Sequence, residues 1–209
     1  MNLTELIKLL KTASNAEAID KHRKDIAELI PIVRIMFNYD QKNHAHQYDL
    51  WMHSLTVVAN LPRGCDDDML YLAALFHDIG KPDSQCRGVK ADDPNMHYYG
   101  HPKKSLEILD TVIIPLLDQK GYEISCMDIK RLRHYVEYHD DHVSKKLKHI
   151  NRHMKMVSFD EFQKLMLLQV ADAKAHIQLP VIAERAEICS ALAGQEGEDL
   201  YELHLKQRG

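Results

Sequence analysis

Apolar residues recur along this chain at three- and four-residue spacing, and strict alternation of apolar and polar residues is almost absent. Spacing of this kind places apolar side chains on one face of an α-helix. Helices are predicted at about residues 2–12, 15–38, 47–60, 67–79, 102–119, 126–140, 159–177 and 180–193. The pattern therefore predicts an all-α fold.

Local signals at the ends of these segments agree with a helical interpretation. Ser14 with Glu17 and Ser158 with Glu161 have the spacing of a capping box, in which side chains satisfy the first free amides of a helix. The segment "MLYLAALF" is apolar almost all round, which predicts a central, buried helix. Gly80 and Pro82 are expected to end that helix directly after Ile79, so that His77 and Asp78 lie in its last turn.

Composition and charge narrow the class of protein. A chain of 209 residues with a formal charge of -4 suits one large globular domain and argues against broad binding to a nucleic-acid backbone. A small phosphate ester is still compatible with that charge. The four cysteines form no CxxC pair, the start is an amphipathic helix, and no apolar run approaches the ~20 residues that span a membrane. These features predict a cytoplasmic protein without a membrane partner.

The fourteen histidines are the unusual part of the composition. Three predicted helices each carry an imidazole or carboxylate among apolar neighbours: His53, the His77–Asp78 pair and Asp172. A single inward histidine is usually a satisfied core residue, and a single late aspartate usually caps a helix. Together, however, they would leave buried charge uncompensated, which a divalent cation would resolve. Such a nitrogen and oxygen site suits Mn, Ni, Co, Mg, Fe or Zn and does not choose among them.

The order H…HD…D, with the blocks "HDIGKP", "YYGHPKKSLEIL", "YVEYHDDH" and "LLQVADAKAH", resembles the HD superfamily of metal-dependent phosphohydrolases. The blocks, with the upstream "HAHQYDLWMHSLTVV", are similar to one HD branch, which includes the HD domain fused to bacterial tRNA nucleotidyltransferases, the CCA-adding enzymes. The resemblance extends from His44 to His176. Residues 1–40 are too short to hold a nucleotidyltransferase domain, so a free-standing HD protein is expected, without tRNA end-building activity.

The resemblance implies an HD-domain helical bundle with a metal site in a central cleft. Its implied ligands for one divalent metal are His53, His77, Asp78 and Asp172, with Asp78 bridging when two metals bind. His101 and His139 match positions that hold a second metal or the substrate phosphate. We expect N-terminal helices packed on the core in residues 1–40, the HD domain in 41–180 and a helical extension in 181–209, in one globular unit.

The implied function is hydrolysis of a phosphate mono- or diester of a nucleotide or small molecule through a metal-activated water. Asp78 and Lys81 are the expected catalytic residues, and Lys81, His101 and His139 the expected substrate contacts. A solvated surface lysine is an equally good interpretation of Lys81. The expected partner is a small phosphorylated substrate, a nucleotide or an RNA end. Two other functions stay open: an HD-fold di-iron oxygenase and a non-catalytic nucleotide-binding module.

Two further segments have two interpretations each. The irregular stretch 83–100 is either a substrate-contacting lid or a surface excursion. The basic segment 142–155 either lines the cleft mouth or is solvated, and the second is favoured. His46, His97 and His142 lie near the family blocks, and the sequence does not decide their role. The remaining histidines are interpreted as structural or exposed: His22, His44, His134, His149, His153, His176 and His204.

Overall fold

The computed structural model describes residues 1–90 and 92–207, and it confirms the all-α fold. The described α-helices are α1 (Leu3–Thr12), α2 (Ala16–Asp20), α3 (Arg23–Leu29), α4 (Leu50–Asn60), α5 (Asp68–Phe76), α6 (Lys81–Ser84), α7 (His101–Ile108), α8 (Ile114–Gln119), α9 (Cys126–Tyr138), α10 (Leu147–His153), α11 (Phe159–Ala175), α12 (Pro180–Leu192) and α13 (Gln195–Lys206). Strands β1 (Cys86–Arg87) and β2 (Met96–His97) form a short antiparallel hairpin. No helix in the described ranges has the length and apolar content needed to cross a membrane.

The prediction of one helix over 15–38 is wrong. The segment contains α2, α3 and a 3-10 helix at Pro31–Met36. Pro31 has no amide hydrogen and disfavours the helical conformation of the residue before it, and Ile30 has φ -130° and ψ 82°. The cap predicted at Ser14 is also wrong by one residue, because the Asn15 side chain accepts the amide of Ala18.

The segment predicted as a helix over 102–119 is continuous but irregular. A π-helical stretch, Leu109–Ile113, joins α7 to α8. Pro115, directly after it, lacks the amide hydrogen that an α-helical bond to residue 111 would need, so the helix adapts locally. The capping box predicted at Ser158 and Glu161 is confirmed at the start of α11. Helix α10 lies inside the basic segment, which the apolar spacing did not predict as helical.

Helix α5 forms the centre of the molecule. Its residues from Met69 to Phe76 are all buried, and α1, α4, α9 and α11 pack against it. Buried polar groups next to it are paired: the Tyr135 hydroxyl donates to Asp67 over 3.0 Å, and the Trp51 indole donates to Asp20 over 2.7 Å. The side chain of Asp67 also caps α5 through the amides of Met69 and Leu70. The elements that carry the candidate ligands thus share one core.

The turn between α5 and α6 determines where the His77–Asp78 pair lies. Helix α5 ends at Phe76, earlier than predicted, and residues 77–80 form turns that lead into α6. Gly80 packs directly on the backbone of α7, since a Cβ at this position would lie 2.6 Å from the Lys104 carbonyl carbon. Its amide also donates to the Ser105 hydroxyl over 2.9 Å. Glycine is therefore required here for the turn to dock on α7.

Candidate metal centre

Six candidate ligands converge from five parts of the fold. His53 lies on α4, His77 and Asp78 in the turn after α5, His101 at the start of α7, His139 directly after α9, and Asp172 near the end of α11. All six side chains are buried. Residues far apart in sequence therefore meet at one place because their helices surround α5 and its following turn.

The carboxylate of Asp78 lies at the centre of this group, and its two oxygens face different partners. Oδ2 lies 3.4 Å from His53 Nε2 and 3.2 Å from His77 Nε2. Oδ1 lies 3.0 Å from His101 Nε2 and 3.3 Å from His139 Nε2. The same carboxylate thus borders two neighbouring groups of potential ligands.

Asp172 completes the first of these groups. Its Oδ1 lies 3.1 Å from His53 Nε2 and 3.7 Å from His77 Nε2. One ligand atom from each of His53, His77, Asp78 and Asp172 lies within 4.8 Å of every other, and the same holds for the second group, Asp78, His101 and His139. Ligands ~2.1 Å from a metal ion are separated by roughly 3.0–3.4 Å in octahedral or tetrahedral geometry, close to these distances.

The hydrogen bonding of the histidines also fits a metal ion. Both ring nitrogens of His53 and Nε2 of His77 are buried without a hydrogen-bond partner. His77, His101 and His139 each hold Nδ1 against the backbone carbonyl three residues earlier, at 2.9, 2.8 and 2.8 Å. A carbonyl oxygen can only accept, so Nδ1 carries a hydrogen, and Nε2 is the ring nitrogen that faces Asp78 and is left to bind a metal ion. This is the arrangement by which proteins orient metal-binding histidines.

The charges of the cluster are strongly coupled. Burial alone would lower the pKa of His77, but the carboxylates of Asp78 and Asp172 outweigh it and raise that pKa to about 10. Burial likewise would raise the pKa of Asp78, yet His77 and Lys81 hold it well below its usual range. Two buried carboxylates thus require compensating positive charge, and a divalent cation would supply it in place of a proton.

Lys81 is buried, so the interpretation of this residue as a solvated surface lysine is wrong. Its side chain is 6% exposed, and Nζ lies 2.6 Å from Asp78 Oδ2. Nζ also donates to the Gln41 side-chain oxygen over 2.9 Å and lies over the ring of Tyr98. Lys81 therefore belongs to the cluster itself.

A cavity of about 350 Å³ opens onto the cluster. Asp78, Lys81, His101, His139 and Asp172 all line it, whereas His53 and His77 lie behind its surface. No residue of the basic segment 142–155 is among the described lining residues, and Lys145 and Arg152 instead pair with Glu196 and Asp141. The segment 83–100 contributes His97, Tyr98, Tyr99 and Gly100 to the wall.

Among the lining residues, His176 and Arg185 were not identified from the sequence as part of the site, and the role of His46 was left undecided. His176, interpreted from the sequence as structural or exposed, lines the cavity and packs its ring on those of His46 and His53. Its Nδ1 is held by the Asp172 carbonyl over 2.8 Å, in the same manner as the site histidines. Arg185, from α12, pairs with Asp140 at 2.7 Å and donates to the His139 carbonyl over 3.1 Å.

Comparison with known proteins agrees with this geometry. The family model of the HD domain matches residues 45–174, which is more than half of the chain. The chain is also 24% identical over 154 residues to the "Multifunctional CCA protein" of Nitrosococcus oceani. That alignment includes 71% of this chain but 36% of the relative, so the chain spans about a third of the relative's length. No solved structure gives a significant match. The convergence of the H, HD and D residues on one buried cluster and the match to the family model together show that this chain belongs to the HD domain family, a superfamily of metal-dependent phosphohydrolases.

Proposed function

We propose that this protein hydrolyses phosphate mono- or diesters with the help of one or two divalent metal ions. The observation that carries the proposal is the buried group of two carboxylates and four imidazoles beside the cavity. Its members that line the cavity, Asp78, His101, His139 and Asp172, form what we call the floor. Phosphoryl transfer needs positive charge to cover the phosphoryl oxygens and a nucleophile that is active at neutral pH. A buried cluster of this composition suits both needs.

His53, His77, Asp78 and Asp172 would hold the first ion, and Asp78, His101 and His139 a second. A bound divalent ion would polarise the phosphoryl oxygens and lower the pKa of a coordinated water. Asp78 would serve both positions, because its two oxygens face the two groups separately. Carboxylate and imidazole ligands together favour Mn, Fe, Co, Ni, Zn or Mg and leave the choice to metal availability.

The chain's own residues would orient the substrate. Lys81 keeps the Asp78 carboxylate in place through the 2.6 Å ion pair, and its ammonium adds positive charge at the floor for a phosphoryl group. His101 and His139 also line the cavity beside Lys81, so they would lie next to the phosphoryl group of a bound substrate. The low solvent exposure of the cluster strengthens each of these interactions.

The substrate we propose is small, since the cavity that opens onto the cluster has a volume of about 350 Å³. A cytoplasmic location would give access to phosphorylated metabolites. The name of the Nitrosococcus oceani relative refers to a protein almost three times as long as the aligned part, and we do not extend its activity to this chain.

The test combines metal analysis with an activity screen. The metal content of the purified protein is measured by elemental analysis, and hydrolysis of phosphate mono- and diesters is assayed after adding Mn, Ni, Co or Mg. One or two equivalents of metal with hydrolysis of an ester supports the proposal. Iron near two equivalents without hydrolysis would instead favour oxygen chemistry, and no metal and no activity after reconstitution would favour a binding module.

Asp78→Ala provides the matching variant. We expect it to lose metal and hydrolysis together, because Asp78 lies within 3.4 Å of all four site imidazoles. Circular dichroism should retain most of the helical signal. A variant that kept its full metal content would show that the ion binds elsewhere.

A further inference from the structure

The wall of the cavity carries an exposed aromatic ring close to the charged floor. Among the described residues, the exposed tyrosines are Tyr48 and Tyr99, and only Tyr99 lines the cavity. Tyr99 is 63% exposed, although the tyrosine before it, Tyr98, is buried. The Tyr98 hydroxyl bonds to the Gln41 carbonyl, which directs that side chain inward and leaves Tyr99 facing the open side. Tyr99 is thus the largely exposed aromatic side chain of this wall among the described residues.

The ring of Tyr99 is supported from one side by His97. The two rings stack with centroids 5.3 Å apart and planes 10° from parallel. His97 is fixed in turn, because its Nε2 lies 2.8 Å from Asp93 Oδ2. A pair of parallel, anchored rings with one free face is the arrangement on which a planar aromatic ligand stacks.

The backbone that leads into Tyr99 is anchored at Met96. The Met96 amide donates to the Lys42 carbonyl over 2.8 Å, and Asn43 donates to the Met96 carbonyl over 3.0 Å. Gly100 follows with φ 77°, a left-handed conformation that turns the chain directly into His101 at the floor. Consecutive Cα atoms are about 3.8 Å apart, so the Cα atoms of Tyr99 and His101 are at most about 7.6 Å apart. A ring on Tyr99 and a phosphoryl group at His101 can therefore belong to one small molecule.

From this juxtaposition we infer that Tyr99 and His97 bind a nucleobase, so that the cavity selects nucleoside phosphates over phosphate esters without an aromatic ring. The inference rests on the proposed function, because that function assigns the phosphoryl group to the floor. The base stacks on the free face of Tyr99, and the ribose spans the distance to the floor. Tyr99 is the specificity-determining residue, and His97 is a positioning residue that keeps the tyrosine ring in its plane.

Equilibrium binding with analogues that resist hydrolysis tests the inference. The probes are the phosphonate analogue of adenosine monophosphate, in which a C–P bond replaces the ester bond, methylphosphonate, which has no ring, and phenylphosphonate. Dissociation constants are measured by calorimetry for the Mn-loaded wild type and for Tyr99→Ala, Tyr99→Phe and the control Tyr48→Ala, which removes an exposed tyrosine outside the cavity.

We expect Tyr99→Ala to weaken the nucleoside phosphonate by about tenfold and to leave methylphosphonate within about twofold, because alanine removes the stacking surface only. Tyr99→Phe and Tyr48→Ala should bind like the wild type. Equal weakening of both probes, or none, would overturn the inference, and phenylphosphonate binding as tightly as the nucleoside probe would show a general aryl site instead. Tyr99-dependent nucleoside binding without hydrolysis of any ester would support the inference and contradict the proposed function.

Discussion

Two groups of buried histidines share helix α9 and differ in their electrostatic surroundings. The site histidines, His53, His77, His101 and His139, surround Asp78. The α9–α10 pair, His134 and His153, has ring centroids 5.6 Å apart and packs against Tyr138 and Phe162.

The pKa values express the difference between the groups. Burial lowers the pKa of both His134 and His153 to about 4, so each ring is neutral near pH 7. The one carboxylate at His153, that of Asp141, also pairs with Arg152. At His77 the carboxylates outweigh burial and raise the pKa to about 10. The carboxylates of Asp78 and Asp172 therefore distinguish the electrostatics of the site histidines from those of the α9–α10 pair.

The largest expected effect comes from removing one aspartate from each group. Asp172→Ala should weaken metal binding by more than about 100-fold, since even partners outside the ligand sphere are worth 10- to 100-fold. Asp141→Ala should keep the metal content of the wild type, because Asp141 contacts only the α9–α10 pair among the buried histidines described. Calorimetric metal titration measures both. Equal loss in the two variants would remove the distinction between the groups.

The α9–α10 pair should contribute to the loss of stability in mild acid. Its folded-state pKa values lie near 4, below the ordinary histidine value of 6.5, so the unfolded chain binds more protons between those pH values. The contribution of each histidine to the free energy of unfolding is therefore complete above about pH 6.5. It falls by on the order of 3 kcal/mol as the pH drops toward 4. Urea unfolding from pH 7 to 4 measures the slope. His134→Phe should flatten it, and an unchanged slope would assign acid sensitivity to other groups.

Lys81→Met tests the charge balance inside the site. The ammonium lies 2.6 Å from Asp78 Oδ2 and competes with a cation for that oxygen. Methionine keeps the apolar stem without the charge, so metal affinity should rise by about tenfold, a modest part of the Coulomb energy at such distances. Hydrolysis should fall, because the floor loses a positive charge. Weaker metal binding in this variant would show that Lys81 supports the site by packing instead.

The smallest effect is expected in the basic segment. Lys145 is 45% exposed and pairs with Glu196, and an exposed pair of this kind contributes about 0–1 kcal/mol. Lys145→Ala combined with Lys148→Ala should leave kcat/KM within about twofold and the free energy of unfolding within about 1 kcal/mol. Steady-state kinetics and urea unfolding check these values. A large loss of kcat/KM would place the segment at the substrate after all.

The sequence predicted the fold class and the residues of the central cluster because their signals are local. His77 and Asp78 follow an apolar helix with a glycine end signal, and Asp172 lies late in another apolar helix. A polar group among apolar residues is visible in one short window. The convergence of these residues depends on how the helices pack. The sequence indicated that convergence only through the order of the family blocks.

The residues that were not identified depend on tertiary contacts alone. His176 lies just after α11, where a histidine is as common as any polar residue, and only the approach of His46 and His53 gives it a place at the cavity. Arg185 lies beyond the residues that match the family model, in a helix that looks like an ordinary extension. The interruption of the helix at Pro31, in contrast, could have been predicted from the proline itself. The apolar spacing around Pro31 nevertheless favoured a continuous helix in the sequence analysis.

The bonds that hold Nδ1 of His77, His101 and His139 lie within single turns of backbone, each reaching three residues back. The aim of each ring is therefore set as soon as its own turn forms, before the helices meet. When the helices pack together, these turns already hold the three imidazole rings in their final orientation. When a metal ion leaves, the same bonds keep the rings directed toward Asp78. We expect the protein to exchange its metal repeatedly without unfolding, at a rate set by access through the cavity.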